Sequence, residues 1–271
     1  MIAACLKWVD RRPEVDPLTG AVHTDARMSG PSDADEAALE WALRLGEARR
    51  QDVVAVTAGP PAAEAVLREA LAAGATGAVR VGVADGAPSE EVARALAAGL
   101  GGRPDVVVCG VWSLDRGSGA VPAFLAAELG AAQALGLISL TIGAGLAAER
   151  RLDGGRRERL AVPTPAVLSV EGGSARLRRA PVGSVIAATR APIRTVAFPA
   201  SPPPHPPVTT HPFRPRARVL PGPNASLSAR ERILALTGAL REHEPAQTQF
   251  LDPPAAAAEI IERLRAWGYV T

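Results

Sequence analysis

Aromatic side chains supply only 3% of the 271 residues, so any core has to be assembled from Val, Leu, Ile and Ala. Their scarcity also removes the stacking platforms that single-stranded nucleic acid needs. Net charge is nearly absent too. With 30 basic against 28 acidic residues the chain stands at +2, and no basic face interleaved with aromatics is visible. Nucleic-acid binding therefore has no warrant. Cysteine is limited to Cys5 and Cys109, each inside an apolar strand-like run. Two isolated cysteines make neither a disulfide framework nor a metal site, and they read as buried, reduced thiols. The four histidines, His23, His205, His211 and His243, lie in loops or a tail without ligand spacing, which argues against a metal. No Ser/His/Asp or Cys/His arrangement suited to nucleophilic catalysis is recognisable.

The run MIAACLKWVDRR is not expected to act as a signal peptide, because it has no basic n-region and meets a charge at Lys7. One run does reach the length of a membrane span, since Leu129 to Ala148 passes 20 residues without a charge. It contains four glycines together with Gln133, Ser139 and Thr141. A helix end, a turn, a strand and a second turn account for it better than a span. The expectation is a cytoplasmic chain with no membrane insertion.

What is present is a globular balance, 47% hydrophobic and 21% charged. IAACLKWV (2–9) reads as a first buried strand, followed by a polar loop to about Pro31. Ser32 and Asp33 are the candidate caps of a helix whose apolar positions are Ala37, Ala38, Trp41, Ala42 and Leu45. DVVAVTAG (52–59) is a continuous apolar strand, and Pro60-Pro61 opens a helix running to Gly74. AVRVGV (78–83) is a third strand, and Ser89 is read as the cap of a helix that stops at Gly101-Gly102. DVVVCG (105–110), a helix over 120–129 and a strand near Leu135 to Ile142 continue the series. Continuous apolar strands alternating with helices predict an α/β fold with a doubly wound, mostly parallel sheet, Rossmann-like in outline.

Past Gly143 the pattern changes. Two strand-like runs flank Asp153-Gly154-Gly155, a hairpin signal, and AVLSVE (166–171) is a further strand. The charge cluster from Arg150 to Arg159 reads as a solvated hairpin. Ten prolines between Pro199 and Pro223 rule out helix and predict an extended connector. Two helical segments follow, Ser228–Arg241 and Pro254–Trp267, the second with Ile260, Ile261, Leu264 and Trp267 on one face. The organisation expected is a nucleotide-binding domain over 1–193, a connector over 194–225 and a helical arm over 226–271.

The stretch Gly110 to Gly130, GVWSLDRGSGAVPAFLAAELG, stands out chemically. It is a strand mouth, a loop of small residues and a helix start. Clustered backbone N–H groups and the positive end of a helix dipole suit a phosphate, and ligands of such sheets bind beyond the carboxyl ends of the strands. Two rivals use the same residues. A free-standing nucleotide hydrolase would need a base or metal near Asp115, and a ligand-free scaffold would make the loop an ordinary turn.

Several segments together resemble the small (beta) subunit of electron-transfer flavoproteins. They are the lysine ending the first strand (Lys7), the A-x-E-x-A-L-R-L helix (Ala38 to Leu45), the strand ending in Ala58-Gly59-Pro60, the helix Glu69 to Ala75, the signature loop Gly110 to Val121, and the Asp-Gly-Gly hairpin. The tail motifs LTGAL (236–240) and LRAWGY (264–269) look like the actinobacterial subgroup associated with mycofactocin-dependent dehydrogenases. The resemblance implies a heterodimer with a large alpha subunit, FAD held mainly in alpha, and structural AMP in this chain. It also implies a dehydrogenase as electron donor, a respiratory or iron–sulfur acceptor, and no catalytic residues here. Electron-bifurcating relatives carry a second FAD in place of AMP.

Carried over by matching motifs, the nucleotide would contact Cys5, the segment Ser32, Asp33, Ala34 and Asp35, then Ala58. It would also contact Gly110 and the loop residues Asp115, Arg116, Gly117, Ser118, Gly119, Ala120 and Val121. The family's Asn-Pro-Phe is here Ser32-Asp33-Ala34; its second loop aspartate is Gly117 and its glutamine Ala120, while Arg116 has no usual counterpart. The resemblance further implies that a loop over Arg179–Ala188 docks the dehydrogenase. Val182 is the apolar anchor of that loop, with Arg179, Gly183 and Val185 around it.

Overall fold

The computed structural model describes residues 1–84, 86–199, 222–237 and 248–269. The chain divides into two compact units, Met1–Phe213 and Arg214–Thr271. The first is built on one nine-stranded sheet. Its strands are β1 (Ile2–Cys5), β2 (Val53–Ala58), β3 (Gly77–Gly82), β4 (Val106–Gly110), β5 (Ala132–Ile142), β6 (Leu146–Arg151), β7 (Arg157–Val162), β8 (Ala166–Val170) and β9 (Arg194–Ala197). Their spatial order is β7-β6-β5-β8-β4-β1-β2-β3-β9. Every neighbouring pair from β5 to β9 is parallel, and only the β6–β7 hairpin joins antiparallel at one edge. This is the doubly wound, mostly parallel sheet with an added hairpin that the sequence predicts.

Five helices cover it: α1 (Asp33–Arg49), α2 (Glu64–Ala73), α3 (Ser89–Leu100), α4 (Val121–Leu129) and α5 (Val182–Arg190). The central strands read as unbroken apolar runs because both their faces are covered. Ile2 and Ala4, Val53 and Ala55, Val106 and Val108 pack beneath α1 and α2. Their alternates Ala3 and Cys5, Val56, Val107 and Cys109 pack beneath α3 and α4.

Local chemistry sets the helix ends. Ser32 caps α1 in a reciprocal box with Asp35, so of the two candidate caps Ser32 serves and Asp33 is the first helical residue. Ser89, expected as a cap, is instead the first residue of α3; Pro88 occupies the cap position and makes no side-chain bond. The uncharged run after Leu129 resolves into the end of α4, a turn at Gly130, then β5, a second turn and the start of β6. Among the described residues no helix is long and apolar enough to cross a membrane.

Three segments differ from expectation. The polar stretch 9–30 is a double hairpin, with Val9–Asp10 paired to Ser29–Gly30 and Glu14–Val15 paired to Val22–His23. The docking stretch expected as a loop is helical from Val182 onward, because Pro181 sets the first turn and Ala188 is buried to anchor the last. Residues Arg194–Ala197, expected in the connector, form edge strand β9 in register with Val79–Gly82. The proline-rich stretch 200–221 lies outside the described residues, as do His205, His211 and His243. In the second unit, α6 (Ala229–Leu236) and α7 (Pro253–Ala266) begin at Ser228 and Asp252, whose side chains accept from the backbone N–H three residues on. The continuation of α6 expected to Arg241 lies outside the described residues beyond Thr237.

Candidate nucleotide site

The chain runs from β1 outward through β2 to β3, then returns to lay β4 on β1's other side. That reversal opens a crevice beyond the carboxyl ends of β1 and β4. A cavity of about 710 Å³ lies there, within the size range of small-molecule and cofactor sites. Its floor includes Cys5 and Cys109, one wall is the loop after β4, and the double hairpin contributes Pro13, Val15 and Val22.

The loop after β4 leaves its donors free. Backbone N–H groups of Ser118, Gly119, Ala120, Val121 and Ala123 donate to no partner among the described residues. Ala120 is the N-cap of helix α4 and supplies no side-chain cap, which leaves the first-turn N–H groups without that partner. Gly119 sits at φ 59°, and a Cβ there would lie 2.8 Å from the Val111 carbonyl oxygen. Only glycine fits that turn. Gly117 plays a different part, since its N–H is spent on the Ser113 carbonyl at 2.8 Å and it does not line the cavity. It shapes the turn and drops out of the expected donor set.

Charged residues tie the walls together. Lys7 Nζ donates to both oxygens of Asp115, at 2.7 and 2.6 Å, spanning from β1 to the loop after β4. Partial burial raises Asp115's pKa, but the bonds from Lys7 and Ser113 outweigh it and hold the carboxyl below its ordinary value. Arg116 donates through Nη1 to the Ala87 carbonyl and so links the loops after β4 and β3.

Beneath the site, Asp35 is almost fully enclosed. Its Oδ2 accepts from Ser32 Oγ at 2.7 Å and from the Ser32 N–H at 3.1 Å. Burial nonetheless pushes its pKa up to about 6, against the pull of Ser32 and of Lys7. Gly110 makes this close approach possible, because a Cβ there would meet Ala34 Cβ and Asp35 Oδ1, each at 3.1 Å.

Of the expected contacts, Cys5, Asp35, Ala58, Gly110, Asp115, Arg116, Ser118, Gly119, Ala120 and Val121 all border the one cavity. Ser32, Asp33 and Ala34 do not: Ser32 and Ala34 are buried behind it and Asp33 faces solvent. Sequence reasoning missed Lys7 as a wall residue, Trp112, and the loop around Ala84 and Ala87. The pairing of charges at the ends of two adjacent strands was the available signal for Lys7. Among the described residues no group of three or more His, Cys, Asp or Glu is placed to hold a metal.

The electron transfer flavoprotein domain model matches residues 19–201. The chain belongs to the electron transfer flavoprotein family. It is 30% identical over 185 residues to the electron transfer flavoprotein subunit beta of Methylophilus methylotrophus, covering 65% of this chain and 70% of that protein. The beta subunit of Syntrophomonas wolfei is 32% identical over 168 residues, 60% of this chain and 66% of that one. Protein FixA of Azorhizobium caulinodans is 29% identical over 210 residues, 70% of this chain and 72% of FixA. The chain is thus an electron-transfer flavoprotein subunit of the beta type.

The flavoprotein chain carries a second distinct surface on α5. Val182 is 75% exposed, and Val185 and Ile186 beside it are exposed as well. Arg179 and Gly183 are also exposed. The helix is held from behind, where Arg68 Nη1 donates to the carbonyls of Ala188 and Ala191 at 2.7 and 3.2 Å. Upstream, the strap between β8 and α5 is fastened to α1. Trp41 Nε1 donates to Ser174 Oγ at 3.2 Å, and Arg178 pairs with Glu40 at 3.0 Å and with Glu47. Burial would raise the Glu40 pKa, but Arg178 and Arg44 hold it below its ordinary value.

Proposed function

We propose that this chain is the beta subunit of a heterodimeric electron-transfer flavoprotein, binding AMP structurally in the cavity at β1 and β4 and helping an alpha subunit enclose FAD. The observation that carries the reading is the run of free N–H donors from Ser118 to Ala123, set on an uncapped helix start at the sheet's switch point. An AMP phosphate fits those donors, with Ala120 and Val121 leaving room where larger side chains would crowd it. The Lys7–Asp115 pair, close to neutral together, closes the side of the cavity without repelling an anion. Family membership supports the flavin, and FAD supplies the electron-carrying chemistry. This chain's residues hold the nucleotide, shape the alpha-facing surface and present α5.

Electrons arrive from a dehydrogenase that docks on α5, with Val182 as the anchor, and leave to a respiratory or iron–sulfur acceptor. No residue of this chain reacts in that scheme, so the protein is a carrier working in the cytoplasm. The division into a nucleotide domain, connector and arm follows the same reading, as does the mycofactocin-associated subgroup.

Co-purification with the alpha subunit, then release and chromatography of bound nucleotides, tests the proposal. One FAD and one AMP per heterodimer is the expected result. Two FAD would replace it with the electron-bifurcating form, and no nucleotide beyond FAD would make the loop a plain turn. Turnover of ATP by the purified protein would favour a hydrolase instead.

A further inference from the structure

Cys5 and Cys109 are the only cysteines in the chain, and they face each other. They are in-register partners on the parallel strands β1 and β4. Both side chains belong to the face covered by α3 and α4, and both border the cavity floor. Cys5 beside it, together with burial, raises the Cys109 pKa well above its ordinary value. Neither the nucleotide reading nor the electron-transfer reading uses the sulfurs.

We propose that Cys5 and Cys109 form a vicinal-dithiol site, reached through the cavity, for a soft thiophilic centre that binds two sulfurs at once, of the trivalent arsenical class. In-register residues on paired parallel strands, about 4.8 Å apart, project from the same face of the sheet, so two sulfurs placed this way can close on a single bridging atom. The raised pKa of Cys109 leaves that sulfur little thiolate for one-sulfur chemistry such as alkylation or peroxide oxidation. Capture by two bonds in one place is favoured instead, because the second sulfur is already positioned. A neutral product also avoids leaving a charge in the core.

With phenylarsine oxide the step balances without an oxidant. Two As–S bonds form, the As–O bond and two S–H bonds break, and the oxygen leaves with both protons as one water. Arsenic stays trivalent.

The test uses the full chain in the assembly in which it purifies, first freed of releasable nucleotide by exhaustive dialysis, then treated with phenylarsine oxide and read by intact-mass spectrometry of this subunit. One bridging phenylarsenic group is expected, stable to a monothiol wash and removed by 2,3-dimercaptopropanol. Cys5→Ala and Cys109→Ala should each retain none, with melting curves showing that both variants are folded. If either alanine variant unfolds, Cys5→Ser or Cys109→Ser serves in its place. A stable adduct on a single-cysteine variant would overturn the pairing. Reaction only after unfolding in urea would overturn the access route.

The access argument rests on the nucleotide reading, so a second arm separates them. With free AMP at about one hundred times its dissociation constant, modification should slow about a hundredfold. If AMP binds by equilibrium dialysis yet gives no protection, the shared cavity is wrong. If AMP does not bind and the adduct still forms, the dithiol site stands and the AMP reading falls.

Discussion

Replacing Asp35 with asparagine should stabilise the protein by an amount that grows between about pH 4 and pH 6 and is full at neutral pH. Asp35 lies 6% exposed under the first turn of α1, and burial lifts its pKa from 3.8 to about 6. The folded state therefore holds this proton more tightly than the unfolded chain. A raised carboxyl contributes stability that is complete below the unfolded value near 4, and that contribution is lost as pH rises through 6. The gap corresponds to about 3 kcal/mol. Asparagine keeps an oxygen for the Ser32 donors and cannot ionise, so Asp35→Asn removes the loss. At about 2–4 °C per kcal/mol for a domain of this size, the variant should melt roughly 6–12 °C higher at pH 8. At pH 4.5 only about 1 kcal/mol of that loss has accrued, so the two proteins should melt within about 2–4 °C of each other. Differential scanning fluorimetry across pH 4.5–8 checks this, with the difference curve cancelling the other titrations. A difference that does not grow with pH would refute the claim that burial dominates at Asp35.

Gly110→Ala should cost about 1–3 kcal/mol and lower the nucleotide content of the purified protein, because one of the crowded atoms is the Ala34 backbone carbon at 3.2 Å. Denaturant midpoints and nucleotide chromatography measure the two effects; an unchanged midpoint would mean that α1 shifts freely. Glu40→Gln should destabilise by roughly 1–2 kcal/mol, a value discounted for the part-exposed Arg178. That difference should shrink as pH falls below the ordinary carboxylate range, since a depressed carboxyl contributes only above it. Val182→Ala should slow reduction of the flavin by its dehydrogenase in stopped-flow traces while flavin content stays constant. Loss of flavin in that variant would remove Val182 from docking.

Periodicity carried most of the fold. Runs such as DVVVCG have apolar residues on both faces because α1 packs on Val106 and Val108 and α4 packs opposite. Caps were less legible. Ser32 and Ser89 look alike in sequence, yet Pro88 takes the cap position in one case, and a proline's fixed φ suits it to a helix start. Residues 9–30 read as loop because their two hairpins are two residues deep, too short for alternation to register. Helix α5 was hidden by Gly183 and by β-branched Val182, Val185 and Ile186, which disfavour helix until Ala188 is buried against its neighbours. At the site, the small residues of the loop after β4 were readable as phosphate chemistry. The enclosure of Asp35 was not, since it depends on Gly110, far along the chain, and the use of the Gly117 N–H was not, since it is set by the turn back to Ser113 rather than by composition.

The strap and edge strand that follow β8 also bear on how the molecule is made. Arg178 grips Glu40 across 138 positions of sequence, and β3 gains its outer neighbour only when Arg194–Ala197 arrives. During synthesis, then, the strap cannot fasten α1 until Arg178 has emerged, and β3 presents a bare row of backbone donors and acceptors until Ala197 has. Such long-range closure is slow, and the exposed edge is open to mispairing throughout. A ribosome-stalled fragment ending near residue 185 should therefore be protease-sensitive and lean on chaperones, while one extended past Ala197 should resist digestion.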